Sequence, residues 1–151
     1  RWSARTLAAA PQEQARAALL PALQGVAPRR WLFDELNAAA ARGVQVWVVS
    51  ASPRPVVSWG VALHDLRATG VVGIEVADGA AVEPAPVGWG KVAAWQALGL
   101  PTPALALGDS QWDGPLLAMA ERGVLLVKAS RDPIANQPSR DIARDPGRAT
   151  R

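Results

Sequence analysis

The sequence predicts an α/β domain built on a mostly parallel sheet. Three observations predict it. Four times a helix-like stretch ends at a glycine and passes into a short apolar run: Gly43 before residues 44–49, Gly70 before 71–76, Gly99 before 104–107, and Gly123 before 124–127. Such alternation is the pattern of a parallel sheet covered by its crossover helices. The run 44–49 is β-branched and almost wholly apolar, as a strand buried on both faces requires. The chain has 151 residues, half of them apolar, which is enough for one domain with a core.

The elements follow in order. Residues 3–24 read as helix, with Leu19, Leu20 and Leu23 on one side and proline breaks at Pro11 and Pro21. Gly25-Val26-Ala27-Pro28 is a linker. Leu32, Phe33, Leu36, Ala39 and Ala40 then recur at helical spacing. Arg42-Gly43 closes that helix, because glycine takes the left-handed position past a helix end at little cost. After strand 44–49 come a helix over 56–67 and a strand over 71–76. Asp78-Gly79 suits the turn of a small hairpin between 74–77 and 80–83. Val92, Trp95 and Leu98 lie near one helical face ahead of strand 104–107. Leu116, Leu117 and Ala120 mark a last helix before strand 124–127. From Ser130 the chain turns polar, with Pro133, Pro138 and Pro146, and reads as a loosely ordered tail. The expected organisation is a helical lead-in over 1–30, an α/β core over 31–130 and a tail over 131–151.

Composition removes several functions. The net charge is +3, with a pI near 10.5. The basic residues are scattered, and Arg131, Arg140, Arg144, Arg148 and Arg151 alternate with aspartates in the tail. No basic stripe or reading module points to nucleic acid. No apolar run approaches the roughly 20 residues of a membrane span. With no cysteine, disulfides and thiolate metal sites are excluded. The chain starts at Arg1 and its single methionine is Met119. The expectation is a processed chain or a piece of a longer polypeptide, in the cytoplasm.

Three segments carry possible chemistry. The first is Gly108-Asp109-Ser110-Gln111-Trp112-Asp113-Gly114-Pro115, in the loop after strand 104–107. Open α/β sheets bind ligands at the carboxyl ends of their strands. Two carboxylates four residues apart there suit a hard cation such as Mg²⁺. Alternatively, Asp113 caps the next helix, with Pro115 in its first turn. The second segment is Val48-Val49-Ser50-Ala51-Ser52-Pro53. It places Ser52 as a helix N-cap and Pro53 as the first helical residue. Backbone N–H groups at that edge would bind an anion, with the Ser50 hydroxyl adding a bond to a phosphate oxygen. An ordinary capped turn is the alternative. The third is Gly88-Trp89-Gly90-Lys91. Lys91, one of two lysines, opens a helix, where the dipole mildly disfavours a cation and an oxyanion would offset that cost. Otherwise it is a solvated surface lysine.

Taken in order, strand–Ser50, Gly90-Lys91 and strand–Gly108-Asp109-Ser110-x-x-Asp113 resemble the haloacid dehalogenase superfamily, mostly Mg²⁺-dependent phosphatases. Ser50 matches its second motif, Lys91 its third, and Asp109 with Asp113 its fourth, across about residues 31–130. Val-Ser-Ala-Ser-Pro and Asp-Gly-Pro-Leu-Leu are similar to the phosphoserine-phosphatase-like branch, which includes phosphocholine phosphatases. The resemblance implies an incomplete Rossmann-like three-layer sandwich, preceded by the end of a helical cap or its linker. It implies a phosphomonoester hydrolase working through an aspartyl-phosphate. Ser50, with Ala51 and Ser52, would bind the phosphoryl group, and Lys91 would stabilise its charge. Asp109 would ligate Mg²⁺, and Asp113 would complete or orient that metal site. The implied substrate is a small phosphorylated metabolite, phosphoserine- or phosphocholine-like.

One departure matters most. The family's first motif, Asp-x-Asp-x-(Thr/Val), supplies the nucleophile and sits on the central strand of the sheet, and this chain lacks it. Asp34-Glu35 lies on a helix-like segment, and Asp141 and Asp145 lie in the tail. The expectation is therefore the C-terminal part of a phosphatase whose nucleophile lies upstream, inactive as it stands. A non-catalytic, anion-binding α/β domain is the alternative. A receiver-like domain would need an acid where strand 44–49 leads into Ser50. His64 reads as a surface or boundary residue, and nothing places Ser50 on a nucleophile elbow. Trp31, Trp47 and Trp95 fit packing positions. Trp89 and Trp112 flank the site, where cation–π attraction to a cationic substrate is worth about 0.5–2 kcal/mol.

Overall fold

Two parallel strand pairs, each with its crossover helix, organise the chain. The computed structural model describes residues 12–77, 80–81 and 85–127. The tail, the first eleven residues and the Asp78-Gly79 turn lie outside them. In chain order the elements are α1 (Gln12–Gln24), α2 (Arg30–Ala41), β1 (Trp47–Pro53), α3 (Arg54–Leu63), β2 (Gly70–Ile74), β3 (Val76–Ala77), β4 (Ala80–Ala81), α4 (Trp89–Ala97), β5 (Leu105–Gly108), a 3₁₀ turn (Gln111–Asp113), α5 (Gly114–Met119) and β6 (Arg122–Leu125). β1 pairs with β2, and β5 with β6, both in parallel. Helices α3 and α5 pack on the strands they join. The α/β class read from the helix–glycine–strand alternation is the observed one. β3 and β4 form the small antiparallel hairpin.

Among the described residues the two parallel pairs are separate sheets. β1 and β5 each pair with one neighbour there and keep one edge without a strand partner. Burial reflects this. Ala15, Val46, Val92, Trp95 and Ala106 are the buried apolar side chains. Val48, Val49 and Leu107 are only half-buried and Val44 is exposed. The run 44–49 is thus not covered on both faces as expected. A parallel strand gains that cover from neighbouring strands and from helices on both faces, and here one flank has no described strand.

Several boundaries move, each for a local reason. The strand expected over 44–49 begins at Trp47, although Val46 is already tied to the next crossover. Its N–H donates to Thr69 Oγ1 (3.0 Å), and its carbonyl accepts the Thr69 N–H (2.6 Å). β1 then runs on to Pro53 through an irregularity after Val49. Gly73 makes the close approach possible, since a Cβ there would lie 2.8 Å from the Ser52 carbonyl oxygen and 2.5 Å from Arg54 Cα. α3 stops at Leu63 rather than Arg67. Asp65 turns left-handed (φ 55°), and the Asn37 amide holds the turn by donating to the Asp65 carbonyl (2.9 Å) and accepting from Arg67 N–H (2.7 Å). α1 runs through Pro21 instead of breaking there. Proline removes one N–H donor, and the helix ends within the next turn, where Gly25 N–H bonds the Pro21 carbonyl (3.1 Å). β6 starts at Arg122 because Arg122 N–H already bonds the Ala104 carbonyl (3.2 Å).

The aromatic expectations divide. Trp47 and Trp95 meet edge-to-face at 6.0 Å, and the Trp95 indole N–H donates to the Pro101 carbonyl (2.9 Å). Trp31 is exposed, because α2 covers its other side through Leu32, Phe33, Leu36, Asn37 and Ala40. Leu98 follows the last residue of α4 and is exposed too. His64 is half-buried and edge-on to Phe33, at 6.4 Å, which suits a boundary residue.

Candidate functional site

Lys91 joins the three segments singled out in the sequence. It sits in the first turn of α4, which starts at Trp89 after Gly88 takes a positive φ of 52°. Its Nζ donates to the Val49 carbonyl within β1 (3.4 Å) and to Asp113 Oδ1 beyond β5 (2.5 Å). The middle of β1, the loop after β5 and the start of α4 therefore meet at one ammonium group. The Lys91 and Asp113 side chains are 8% and 11% exposed, so the pair is buried. Lys91 is not the solvated surface lysine of the alternative reading.

Asp113 is saturated on one oxygen. Its Oδ2 accepts the N–H of Asp109 (3.0 Å), the N–H of Ser110 (2.9 Å) and the Ser110 hydroxyl (2.9 Å). Ser110 and Asp113 form a capping box around the 3₁₀ turn. Gly108 lets the carboxylate fold back, because a Cβ on it would stand 2.4 Å from Asp113 Cβ. Asp113 makes no side-chain cap to α5, although Pro115 occupies that helix's first turn as expected. Burial raises the Asp113 pKa, but hydrogen bonds from Lys91 and Ser110, and the Lys91 charge, outweigh it and hold the carboxyl below its ordinary value of 3.8. It stays ionised.

Asp109 contrasts with Asp113. Its side chain is 58% exposed, and Oδ2 lies 3.9 Å from Arg29 Nη2. The structure therefore does not present Asp109 and Asp113 as two equivalent acids. A cation at Asp113 would compete with Lys91 and three donors, so Asp113 is placed to orient the loop, whereas Asp109 has a carboxylate open to a ligand. Mg²⁺ is commonly held by one or two carboxylates together with waters and substrate phosphate oxygens. Asp109 fits as one such ligand. Among the described residues no cluster of three histidine, cysteine or acidic side chains completes a metal site.

The second half of β1 departs from the expected anion cradle. Ser52 does not cap α3. The helix starts at Arg54, with Pro53 as its N-cap and Pro55 in its first turn. Two prolines remove two N–H donors from that turn. The Ser52 N–H is also taken, since it donates to Ser50 Oγ (3.1 Å). Ser50 is half-buried, and Ala51 and Ser52 are exposed. Of the expected donors, the Ser50 hydroxyl accepts the Ser52 N–H and keeps its own proton to donate.

Sequence reasoning missed Arg29 and Ser110. Arg29 is the N-cap residue of α2 and carries no motif. Ser110 was legible, because Ser-x-x-Asp is capping-box spacing. The chain belongs to the haloacid dehalogenase-like hydrolases, whose family model matches residues 3–118. No curated protein and no solved structure matches it. Among the described residues no helix is long and apolar enough to cross a membrane.

Proposed function

We propose that this chain supplies the phosphate-binding and metal-binding half of a Mg²⁺-dependent phosphomonoester hydrolase. The observation that carries it is the buried Lys91–Asp113 pair, with Lys91 also bonded to β1 at the Val49 carbonyl. The nucleophile is an aspartate upstream of this chain, and the reaction passes through an aspartyl-phosphate. On β1, Ser50 and the Ala51 N–H hold phosphoryl oxygens. Lys91 keeps one N–H for the phosphoryl group while its other two contacts fix its position. Asp109 would hold Mg²⁺, which supplies charge neutralisation when bound, and Asp113 holds the Asp109 loop in place. Phosphoryl transfer depends mainly on such positioning and charge.

The substrate is a small phosphorylated metabolite of the phosphoserine or phosphocholine kind. Trp89 and Trp112 are exposed, and Gly88 brings the start of α4 near the Trp112 ring. An exposed indole face beside the site suits a cationic substituent.

The test is release of phosphate from an aryl phosphate with Mg²⁺. It is run on this chain and on the product of the longer open reading frame. Turnover only in the longer protein, lost in Asp109→Asn, is the expected result. Efficient turnover by this chain alone would overturn the proposal. A second reading, a non-catalytic anion-binding domain, draws on the mutual neutralisation of Lys91 and Asp113. Inactivity in both proteins would favour it.

A further inference from the structure

Lys91 is too committed to carry a phosphoryl group's charge alone. Its ammonium has three N–H donors, and two already serve Val49 and Asp113. Its charge is also matched by the Asp113 carboxylate at 2.5 Å. A dianionic ligand at this strand edge needs another cation. Among the described residues Arg29 is the cation paired with Asp109, its Nη2 lying 3.9 Å from Asp109 Oδ2.

Arg29 is held where such a group is needed. Its carbonyl accepts the N–H of Leu32 (2.9 Å) and of Phe33 (3.1 Å), so its backbone is fixed to the first turn of α2. Its side chain is 30% exposed, yet it stays at the limit of an ion pair with Asp109 and engages it loosely. A guanidinium offers five N–H donors in a planar fork that matches phosphate oxygens.

We propose that Arg29 binds the phosphoryl group at this site and rests on Asp109 when no anion is present. The proposal rests on Asp109 being the cation ligand. Asp109 bound to a divalent cation would hold Arg29 less, and the guanidinium would be left for the anion. Cation and phosphate binding are then coupled, each strengthening the other. Arg29 is thus a binding residue brought to the site by the start of α2, outside the strand-end motifs.

The experiment measures two affinities separately. Mn²⁺ binding is followed by electron paramagnetic resonance, and inorganic phosphate binding by calorimetry with and without Mg²⁺. Wild type, Arg29→Gln, Arg29→Lys and Asp109→Asn are compared, with tryptophan fluorescence unfolding as the check on folding. In Arg29→Gln, phosphate affinity falls about tenfold or more and Mn²⁺ affinity is unchanged or tighter. Arg29→Lys recovers part of the phosphate affinity, and Mg²⁺ strengthens phosphate binding in the wild type. Equal phosphate affinity in Arg29→Gln and wild type, or no phosphate binding by the wild type, overturns the role of Arg29. Equal Mn²⁺ affinity in wild type and Asp109→Asn instead overturns Asp109 as the cation ligand. The two failures are read on different instruments.

Discussion

Two ion pairs use aspartates four residues apart, and they are built in opposite ways. Lys91–Asp113 is buried, short and braced by Ser110 and the Asp109 N–H. Arg29–Asp109 is long and half in water. The first joins elements distant in sequence and cannot be opened without leaving a charge in the interior. The second is weak and solvated, and on the reading proposed above either partner would exchange it for a ligand at little cost. The site therefore combines a fixed scaffold with a replaceable contact, and the aspartate that looks more important from its burial is the one with less room for a ligand.

The strongest way to break that comparison is to remove one partner of the buried pair. Asp113→Asn or Lys91→Met leaves an uncompensated buried charge or polar group, for a loss of about 3–5 kcal/mol. Urea unfolding followed by tryptophan fluorescence reads it. Lys91→Met with Asp113→Leu should recover much of the loss, because replacing both charges removes the desolvation cost as well. A loss under about 1 kcal/mol in the single variants would make the pair a surface pair.

Gly108→Ala sharpens the same point from the side of packing. The new Cβ would meet Asp113 Cβ at 2.4 Å, so the carboxylate must shift. The expected cost is about 1–3 kcal/mol, the range for overpacked sites, with weaker protection of the Asp109 and Ser110 amides from exchange.

Acid erodes the buried pair gradually. The Asp113 carboxyl is held below its ordinary value of 3.8 in the folded protein. The unfolded chain therefore takes up the proton first as pH falls. The stabilising contribution is fully present above about pH 4–5 and is lost as pH falls through the depressed folded value. The stability gap between wild type and Asp113→Asn should be widest near neutrality and narrow below pH 4. A gap that widens on acidification would contradict the assignment.

The fold class was legible because glycine marks each passage from helix to strand. The four passages at Gly43, Gly70, Gly99 and Gly123 all lead toward strands. The strand ends were less legible, because they depend on distant partners. β1 extends to Pro53 only because Gly73 leaves room beside Ser52, and α3 ends early because Asn37, 28 residues before Asp65, bonds its carbonyl. The meeting of Lys91 with the β1 backbone at Val49 and with Asp113 followed from strand order. The unequal roles of Asp109 and Asp113 did not, since spacing alone cannot tell which carboxylate folds back. Arg29 was invisible for the same reason: an arginine at a helix start acquires meaning only from what the fold brings beside it.

The smallest expected effect on stability belongs to Asp109→Asn. An exposed pair contributes about 0–1 kcal/mol, so its unfolding midpoint should barely move. That makes Mn²⁺ binding to folded Asp109→Asn the most direct test of the division between scaffold and working contact. The prediction is an affinity at least about tenfold below wild type, with the fold intact. Unchanged affinity would show that Asp109 holds no cation and would contradict the account at its centre.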